Sequence, residues 1–201
     1  VGLNHVGFRL TNIATSTVIT DAAVAQAPLM TMMDGTSHAC PFTSPVGPAG
    51  PDGIFEAKLV LQMASTTSDT WADAVTLTPA GGSEHVITLE NLAVAETGAR
   101  KMLTVGPTTW LFTLNWDGDA YGVGSNPFTL TAHTRASMMS WPPADDLTIR
   151  VFPWMPDMSH GSDGNVDPVL TVDGEYVGSA NFSMDGDWTV TFDVSQGTTE
   201  L

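Results

Sequence analysis

The segment VDGEYVGSANFSM (172–184), followed by Asp185-Gly186 and by WTVTFDV (188–194), decides the fold class. Apolar or small residues alternate with polar ones through both stretches, which is the period of β-strands with one buried face. Asp-Gly is a favoured pair in tight hairpin turns. The two stretches are therefore predicted to form an antiparallel hairpin with these inward-facing residues: Tyr176, Gly178, Ala180, Phe182, Met184, Trp188, Val190, Phe192 and Val194.

Short stretches of the same kind recur along the chain, and turn residues rich in Gly and Pro separate them. Helical periodicity is poor, and Thr and Val dominate. Many short strands at this spacing are typical of β-sandwiches. The other predicted strands cover 4–12, 17–26, 54–64, 71–78, 84–92, 109–116, 126–133 and 146–152.

The composition excludes several classes of function. The chain has six Lys and Arg residues and 22 Asp and Glu residues, which gives a net charge of −16. This charge repels phosphate backbones, so no nucleic-acid partner is expected. No apolar run is long enough to span a membrane. The single cysteine, Cys40, allows no disulfide within the chain. We expect an exported protein, periplasmic or extracellular, whose anchor, if it has one, would precede residue 1.

A methionine–histidine cluster occurs twice, with the copies about 120 residues apart. The copies are APLMTMMDGTSHACP (27–41) and FPWMPDMSHGSDG (152–164). An Asp-Gly-aromatic strand, a Met and a Trp follow each copy in the same order. This preserved order predicts two tandem immunoglobulin-like β-sandwich domains, 1–98 and 99–201, with the boundary in ETGARK (96–101).

Thioethers and imidazoles gathered in one place are ligands for copper, above all Cu(I). Prolines around the second cluster exclude a helix, so we expect the ligands on loops at the rim of each sandwich, where Trp154 would shield the second site. Zinc is a poorer fit because it rarely takes thioether ligands. The predicted metal ligands are Met155, Met158, His160 and Met184 in the second copy, and Met30, Met33, His38 and Met63 in the first.

The second copy resembles the FixH/YtkA-like family, through Met155, Met158, His160, Asp173-Gly174-Glu175-Tyr176, Met184, Gly186 and Trp188. The resemblance covers about 145–195 well and 18–78 only loosely, because the first copy carries a Pro/Gly insert at 41–51. It implies a small immunoglobulin-like sandwich, exported or membrane-tethered, in the neighbourhood of copper-handling or respiratory-oxidase assembly proteins.

The leading hypothesis is a copper chaperone, scavenger or resistance protein that passes its ion to a copper-accepting envelope protein. Enzymes are disfavoured because no catalytic motif is present. A blue-copper site is rejected because His38 precedes Cys40 and no short loop with a second His and a Met follows Cys40. Two alternatives stay open: a structural or adhesive sandwich without metal, and surface modules stabilised by calcium. The calcium alternative depends on the oxygen ligands of Asp163, Asn165 and Asp167, although Pro168 excludes an EF-hand.

Overall fold

The chain divides into two compact units, each built from antiparallel β-sheets. The computed structural model describes residues 1–45, 47–96, 99–118 and 121–201. The first unit comprises Val1–Thr97 with Ala136–Trp141, and the second comprises Gly98–Arg135 with Pro142–Leu201. The all-β prediction is confirmed. Across the described residues there is no helix, and so none long and apolar enough to cross a membrane.

The first unit contains nine strands in two main sheets and a small ribbon. One sheet has the order β1-β7-β6, the other β5-β4-β8-β9, and β2 pairs with β3. The strands are β1 (Gly2–Arg9), β2 (Thr11–Asn12), β3 (Thr17–Val18), β4 (Ala22–Thr31), β5 (Ser37–Ala39), β6 (Phe42–Thr43), β7 (Ile54–Leu61), β8 (Thr70–Pro79) and β9 (His85–Leu92).

The two main sheets of the first unit bury their apolar faces against each other. Met30 and Trp71 from the four-stranded sheet pack in one cluster with Leu59 and Leu61 from β7. A second cluster places Phe55 of β7 among aliphatic residues of β4 and β8. This is the arrangement of a β-sandwich, in which side chains from two inner faces form the core.

The second unit contains nine strands in two sheets. The five-stranded sheet has the order β10-β11-β12-β16-β15, and the four-stranded sheet has the order β14-β13-β17-β18. The strands are β10 (Ala99–Val105), β11 (Thr108–Trp116), β12 (Gly124–Thr134), β13 (Leu147–Met155), β14 (His160–Gly161), β15 (Val166–Val172), β16 (Glu175–Phe182), β17 (Thr189–Gln196) and β18 (Thr199–Glu200).

The core of the second unit lies between its two sheets. Phe128, Leu130 and Tyr176 from the five-stranded sheet meet Ile149 and Val151 from the four-stranded sheet. The faces predicted from alternation agree with the observed burial along both β16 and β17. In β16 the predicted inward residues Tyr176, Gly178, Ala180 and Phe182 are all buried, although Ser179 on the other face is buried too, and in β17 the inward positions pack against the core.

The predicted hairpin between residues 172–184 and 188–194 is wrong. β16 pairs with β12 and β15, whereas β17 pairs with β13 and β18 in the other sheet. The tight turn lies earlier, at Asp173-Gly174, because Val172 pairs directly with Glu175. Asp185-Gly186 instead belongs to the connection that carries the chain from one sheet to the other.

The two strands that carry the first Met of each cluster are longer than predicted. β4 continues through Pro28 to Thr31, and β13 continues through Pro153 to Met155. The physical reason is the same in both units. On one side, β4 pairs with the short edge strand β5 only from Leu29 onward, and β13 pairs with the short edge strand β14 only from Trp154 onward. Each proline lies just before its edge strand begins to pair. The missing N–H of the proline therefore interrupts no pairing with that edge strand.

The segment Ala136–Trp141 was not foreseen as part of the first unit. The Ala39 amide donates a hydrogen bond of 2.9 Å to the Met138 carbonyl, which attaches this segment to β5. The predicted boundary between residues 98 and 99 falls beside Thr97 and Gly98, which lie outside the described residues, and it stays a prediction.

Candidate metal centres

In the second unit, Met155 and His160 face each other across two paired strands. Met155 is the last residue of β13, His160 is the first of β14, and the two are direct partners in the antiparallel register. Directly opposed residues of this kind have Cβ atoms about 4.5–5.5 Å apart on the same face of a sheet. The pairing therefore brings a thioether and an imidazole together without any contribution from a loop.

The hydrogen bonding of His160 fixes which ring nitrogen carries the lone pair. Nδ1 lies 2.7 Å from the carbonyl oxygen of Gly161. A carbonyl oxygen can only accept, so Nδ1 must hold the proton, and in the neutral ring Nε2 then carries a lone pair. Nε2 is buried and has no hydrogen-bond partner among the described residues. A buried acceptor without a partner is costly for a protein, and a metal ion would satisfy it.

An indole closes one side of this pair. The rings of His160 and Trp188 meet edge to face, with centroids 5.4 Å apart and planes at 83°. Trp188 Nε1 donates a hydrogen bond of 3.1 Å to the Met184 carbonyl. That bond holds the Met184 backbone beside the ring, while its side chain is 40% exposed and lines a cavity of about 380 Å³.

The first unit repeats this arrangement. Met30 at the end of β4 is the direct partner of His38 in β5. His38 and Trp71 meet edge to face, with centroids 5.5 Å apart and planes at 89°. Trp71 Nε1 donates a hydrogen bond of 2.9 Å to the Met63 carbonyl. His38 Nε2 is again buried, with no hydrogen-bond partner in the described part of the chain.

One interaction distinguishes His38 from His160. The Gln62 amide nitrogen lies 3.2 Å from His38 Nδ1 and donates to the Ala39 carbonyl at 2.9 Å, while Nδ1 itself lies 3.3 Å from that carbonyl. The amide and the carbonyl favour opposite tautomers of the ring. A metal on Nε2 would select the tautomer in which Nδ1 donates to Ala39.

Cys40 lies in the same buried cluster as Met30 and Trp71. Burial raises the pKa of its thiol to about 12, so the thiol stays protonated at neutral pH. Cys40 therefore behaves as a small buried hydrophobe.

The remaining predicted residues lie at different distances from the two pairs. Met63 packs against the first cluster as a partly buried side chain. Met33 is 80% exposed, and the adjacent Met32 packs against the cluster in its place. Met158 is 61% exposed in the turn between β13 and β14. Met33 and Met158 are therefore solvent-facing neighbours of the Met–His pairs.

The aromatic partner was misplaced by the sequence reasoning. Trp154, the expected shield, is half exposed and lies on the face of β13 opposite to Met155. The indoles that do contact the histidines are Trp71 and Trp188. The sequence held the signal, because a Trp follows the Met at the same place in both copies.

The structure gives less support to a site for a harder cation such as calcium. Within the described ranges, His, Cys, Asp and Glu side chains form no group of three or more that could hold an ion. In the proposed calcium loop, Asn165 Oδ1 accepts from the Asn181 amide and Asp167 Oδ1 accepts from the Val151 amide. These oxygens fasten the loop to neighbouring strands, which is the ordinary structural use of such residues.

The second unit is thus a small all-β domain of two antiparallel sheets with a Met–His pair at one sheet edge. Its residues 104–193 match the sequence model of the YtkA-like family, so this part of the chain is similar to YtkA-like domains. The resemblance predicted for the second copy is confirmed, while the tandem copy in the first unit stays a prediction. No curated protein and no solved structure matches the chain significantly.

Proposed function

We propose that this protein binds Cu(I), with one ion in each unit. The observation that carries the proposal is the repeated buried Nε2 atom without a hydrogen-bond partner, in a histidine that faces a methionine across paired strands. Seven buried side-chain polar atoms among the described residues lack a hydrogen-bond partner, and these two are distinguished because they occupy equivalent places in the two units, each opposite a methionine.

The donor chemistry favours a soft, monovalent ion. In the second unit the ligands would be His160 Nε2 and the Met155 sulfur. Met184 would join them from the connection between β16 and β17, where its carbonyl accepts from Trp188. Thioether and imidazole ligands select Cu(I) over zinc, magnesium or calcium. The Trp188 ring would exclude water from one side and offer its π-electrons to the cation.

The corresponding set in the first unit is His38 and Met30, with Met63 held beside Trp71. The hydrogen bond from His160 Nδ1 to the Gly161 carbonyl orients the ring, as such bonds do around metal-bound histidines, and His38 Nδ1 would make the equivalent bond to Ala39 once a metal occupied Nε2. This recurrence supports two ions per chain.

The biological role that we propose is that of an exported copper-binding protein, a chaperone, scavenger or resistance protein, and not an enzyme. The YtkA-like match in the second unit supports an envelope location, since the family resemblance implies exported domains near copper-handling proteins. The acidic surface would attract cations, with a net charge of −16. A copper-accepting envelope protein would take the ion from it.

The proposal is tested by titrating the whole chain with Cu(I) against a competing chelator. We expect two ions per chain, and one for the double variant Met155→Leu with His160→Phe. Met102→Leu is the control, because Met102 is a methionine on β10 of the same unit that belongs to neither Met–His pair, and its replacement should leave the stoichiometry at two. Tryptophan fluorescence should fall as each ion binds beside an indole.

Failure to take up copper at micromolar affinity would overturn the proposal and favour a structural or adhesive sandwich. One observation supports that second candidate. The edge strand β15 exposes several apolar side chains that a protein partner could cover, namely Val166, Val169, Leu170 and Val172.

A further inference from the structure

The two Met–His pairs differ in how accessible they are to solvent. In the first unit Met30, His38 and Trp71 are all buried, and Leu59 and Leu61 of the opposite sheet pack in one cluster with Met30 and Trp71. An ion held there would lie within a sandwich core. Such an ion can leave only when strands separate locally.

The pair in the second unit lies behind two residues that line an open cavity, because His160 contacts Trp188 and Met155 lies against Gly186. Met155 is buried, but His160 and Trp188 are only partly covered, and Trp188 lines the cavity of about 380 Å³ together with Met184 and Gly186. An ion at this pair would therefore lie close to solvent.

Gly186 lines the cavity and contacts Met155. A Cβ atom on Gly186 would lie 2.7 Å from Met155 Cε and 3.7 Å from its sulfur. The end of the Met155 side chain therefore rests directly against the glycine backbone. No side chain at this position separates the thioether from the cavity.

The chemistry of the cavity suits a soft cation in transit. Met184 offers an exposed thioether, and Asp185 and Asp187 place carboxylates beside it. Trp116 and Tyr121 supply aromatic faces on the other side, with ring centroids 5.3 Å apart. Negative charge would concentrate cations, and the thioether would select Cu(I) among them.

We propose that the two copper sites have separate roles: the second-unit site exchanges Cu(I) through the cavity beside Gly186, and the first-unit site retains its ion. This inference rests on the proposed function. Met184 is the positioning ligand that captures the incoming ion and passes it to Met155 and His160. The first-unit ion exchanges at the rate at which β5 opens from β4.

The test is the removal of copper from the fully loaded chain. The protein is loaded with two Cu(I) under anaerobic conditions and mixed with excess bathocuproine disulfonate, whose copper complex is followed by absorbance. We expect two phases of equal amplitude, with rates that differ by at least about tenfold. The fast phase should be missing in the Met155→Leu/His160→Phe variant.

A bulky side chain placed in the cavity tests whether the second-unit ion leaves through it. Val123 lines the cavity and is 59% exposed, so Val123→Trp should fill it and slow the fast phase about tenfold without changing the stoichiometry. Val86→Trp is the matched control, because Val86 is 60% exposed on β9 of the first unit. The control should leave both rates unchanged.

A second readout does not depend on any substitution. Sub-denaturing urea promotes local opening, so it should accelerate the slow phase while it leaves the fast phase nearly constant.

The outcomes separate the inference from the proposed function. A single rate for both ions, a fast phase that survives in the second-unit variant, or an unchanged fast phase in Val123→Trp would overturn the division of roles and leave copper binding intact. A chain that takes up no Cu(I) would overturn both, and the loading stoichiometry shows this before any removal is measured.

Discussion

Met155 and His160 are direct partners in the antiparallel register, and the imidazole keeps a buried nitrogen without a hydrogen-bond partner. A histidine used only for packing would gain by satisfying both ring nitrogens. Here one nitrogen donates to the Gly161 carbonyl and the other carries its lone pair into an apolar corner beside Trp188. The unpartnered nitrogen costs stability in the metal-free protein, and it is the atom that would hold Cu(I) under the proposed function.

Replacement of His160 by Phe should separate the structural role of this ring from its role in binding. Phe keeps the edge-to-face contact with Trp188 and loses one hydrogen bond, of about 1 kcal/mol, but it also removes an unsatisfied buried acceptor that costs about 1–3 kcal/mol. We expect the melting temperature of the metal-free protein to stay constant or rise. The increase in melting temperature that Cu(I) gives to the second unit should disappear.

Calorimetry with and without Cu(I) measures both effects of His160→Phe. A large loss of stability in the metal-free variant would show that His160 is a structural residue.

A buried pair of hydroxyls in the five-stranded sheet gives a second prediction. Thr113 and Thr131 are both buried on adjacent strands, and their Oγ1 atoms are 2.7 Å apart. Thr113→Val leaves the other hydroxyl without a partner and should lower the free energy of unfolding by about 1–3 kcal/mol.

The double variant Thr113→Val with Thr131→Val removes both polar groups at nearly constant volume. Its stability should lie close to that of the wild type, so the double-mutant cycle should show strong coupling. Urea unfolding of the four proteins measures this, and additive effects of the two substitutions would contradict the prediction.

Gly174 should tolerate no side chain. It adopts φ of +75° in the β15–β16 turn, and a Cβ atom would lie 2.5 Å from the Ala132 carbonyl oxygen. Gly174→Ala combines backbone strain with a clash against a sheet strand, and it should destabilise the second unit by more than about 2 kcal/mol.

Gly197→Ala is the control for Gly174→Ala, because Gly197 has φ of +59° but open space around its Cα. It should cost only the strain, about 1 kcal/mol. Thermal unfolding of both variants measures the difference, and equal losses would contradict it.

The sequence predicted strand faces better than strand partners. Alternation identified the buried face of β16 because side-chain direction follows from the local backbone alone. Partner choice is non-local, and the chain offers two Asp-Gly pairs near the same place. Only Asp173-Gly174 adopts positive φ at both residues, 40° and 75°, as a two-residue hairpin turn requires. The other pair lies in a longer connection, which the composition could not distinguish.

The candidate site shows the same division between local and non-local information. Residue types and their order pointed to Met30, His38, Met155 and His160, which the structure brings together as two pairs. The loop interpretation failed because proline was treated as the end of a strand. Pro28 and Pro153 each precede the first residue that pairs with the histidine strand, so the proline delimits the pairing while the longer strand continues.

The pH dependence of stability should reveal His133 in the second unit. Burial lowers the pKa of this imidazole to about 4, against 6.5 in the unfolded chain, although Asp145 partly opposes the shift. Between these values the unfolded chain binds a proton that the folded one excludes, so stability is lost as pH falls from about 6.5 to 4. The full difference corresponds to about 3 kcal/mol. Unfolding of the wild type and of His133→Leu from pH 7 to pH 4 tests this. The variant should show a flatter slope, and parallel curves would exclude His133 as the cause.

Cys40 should resist thiol reagents in the folded chain. Its side chain is buried, and burial raises the thiol pKa to about 12, so the reactive thiolate is scarce at pH 8 and enclosed by the first-unit core. We expect labelling by an aromatic disulfide reagent to be slower by about 1,000-fold or more in native protein than in urea-unfolded protein.

Labelling of Cys40 in intermediate urea should follow the opening of the first unit, because the reagent reaches the sulfur only when the two sheets separate. Copper held by Met30 and His38 stabilises the closed state of that unit, so Cu(I) loading should slow the labelling further. The Met155→Leu/His160→Phe variant should retain this protection, since it leaves the first-unit pair intact. Rapid labelling of the native protein would show that Cys40 is accessible, and the interpretation of the first-unit cluster as a sealed core would then be wrong.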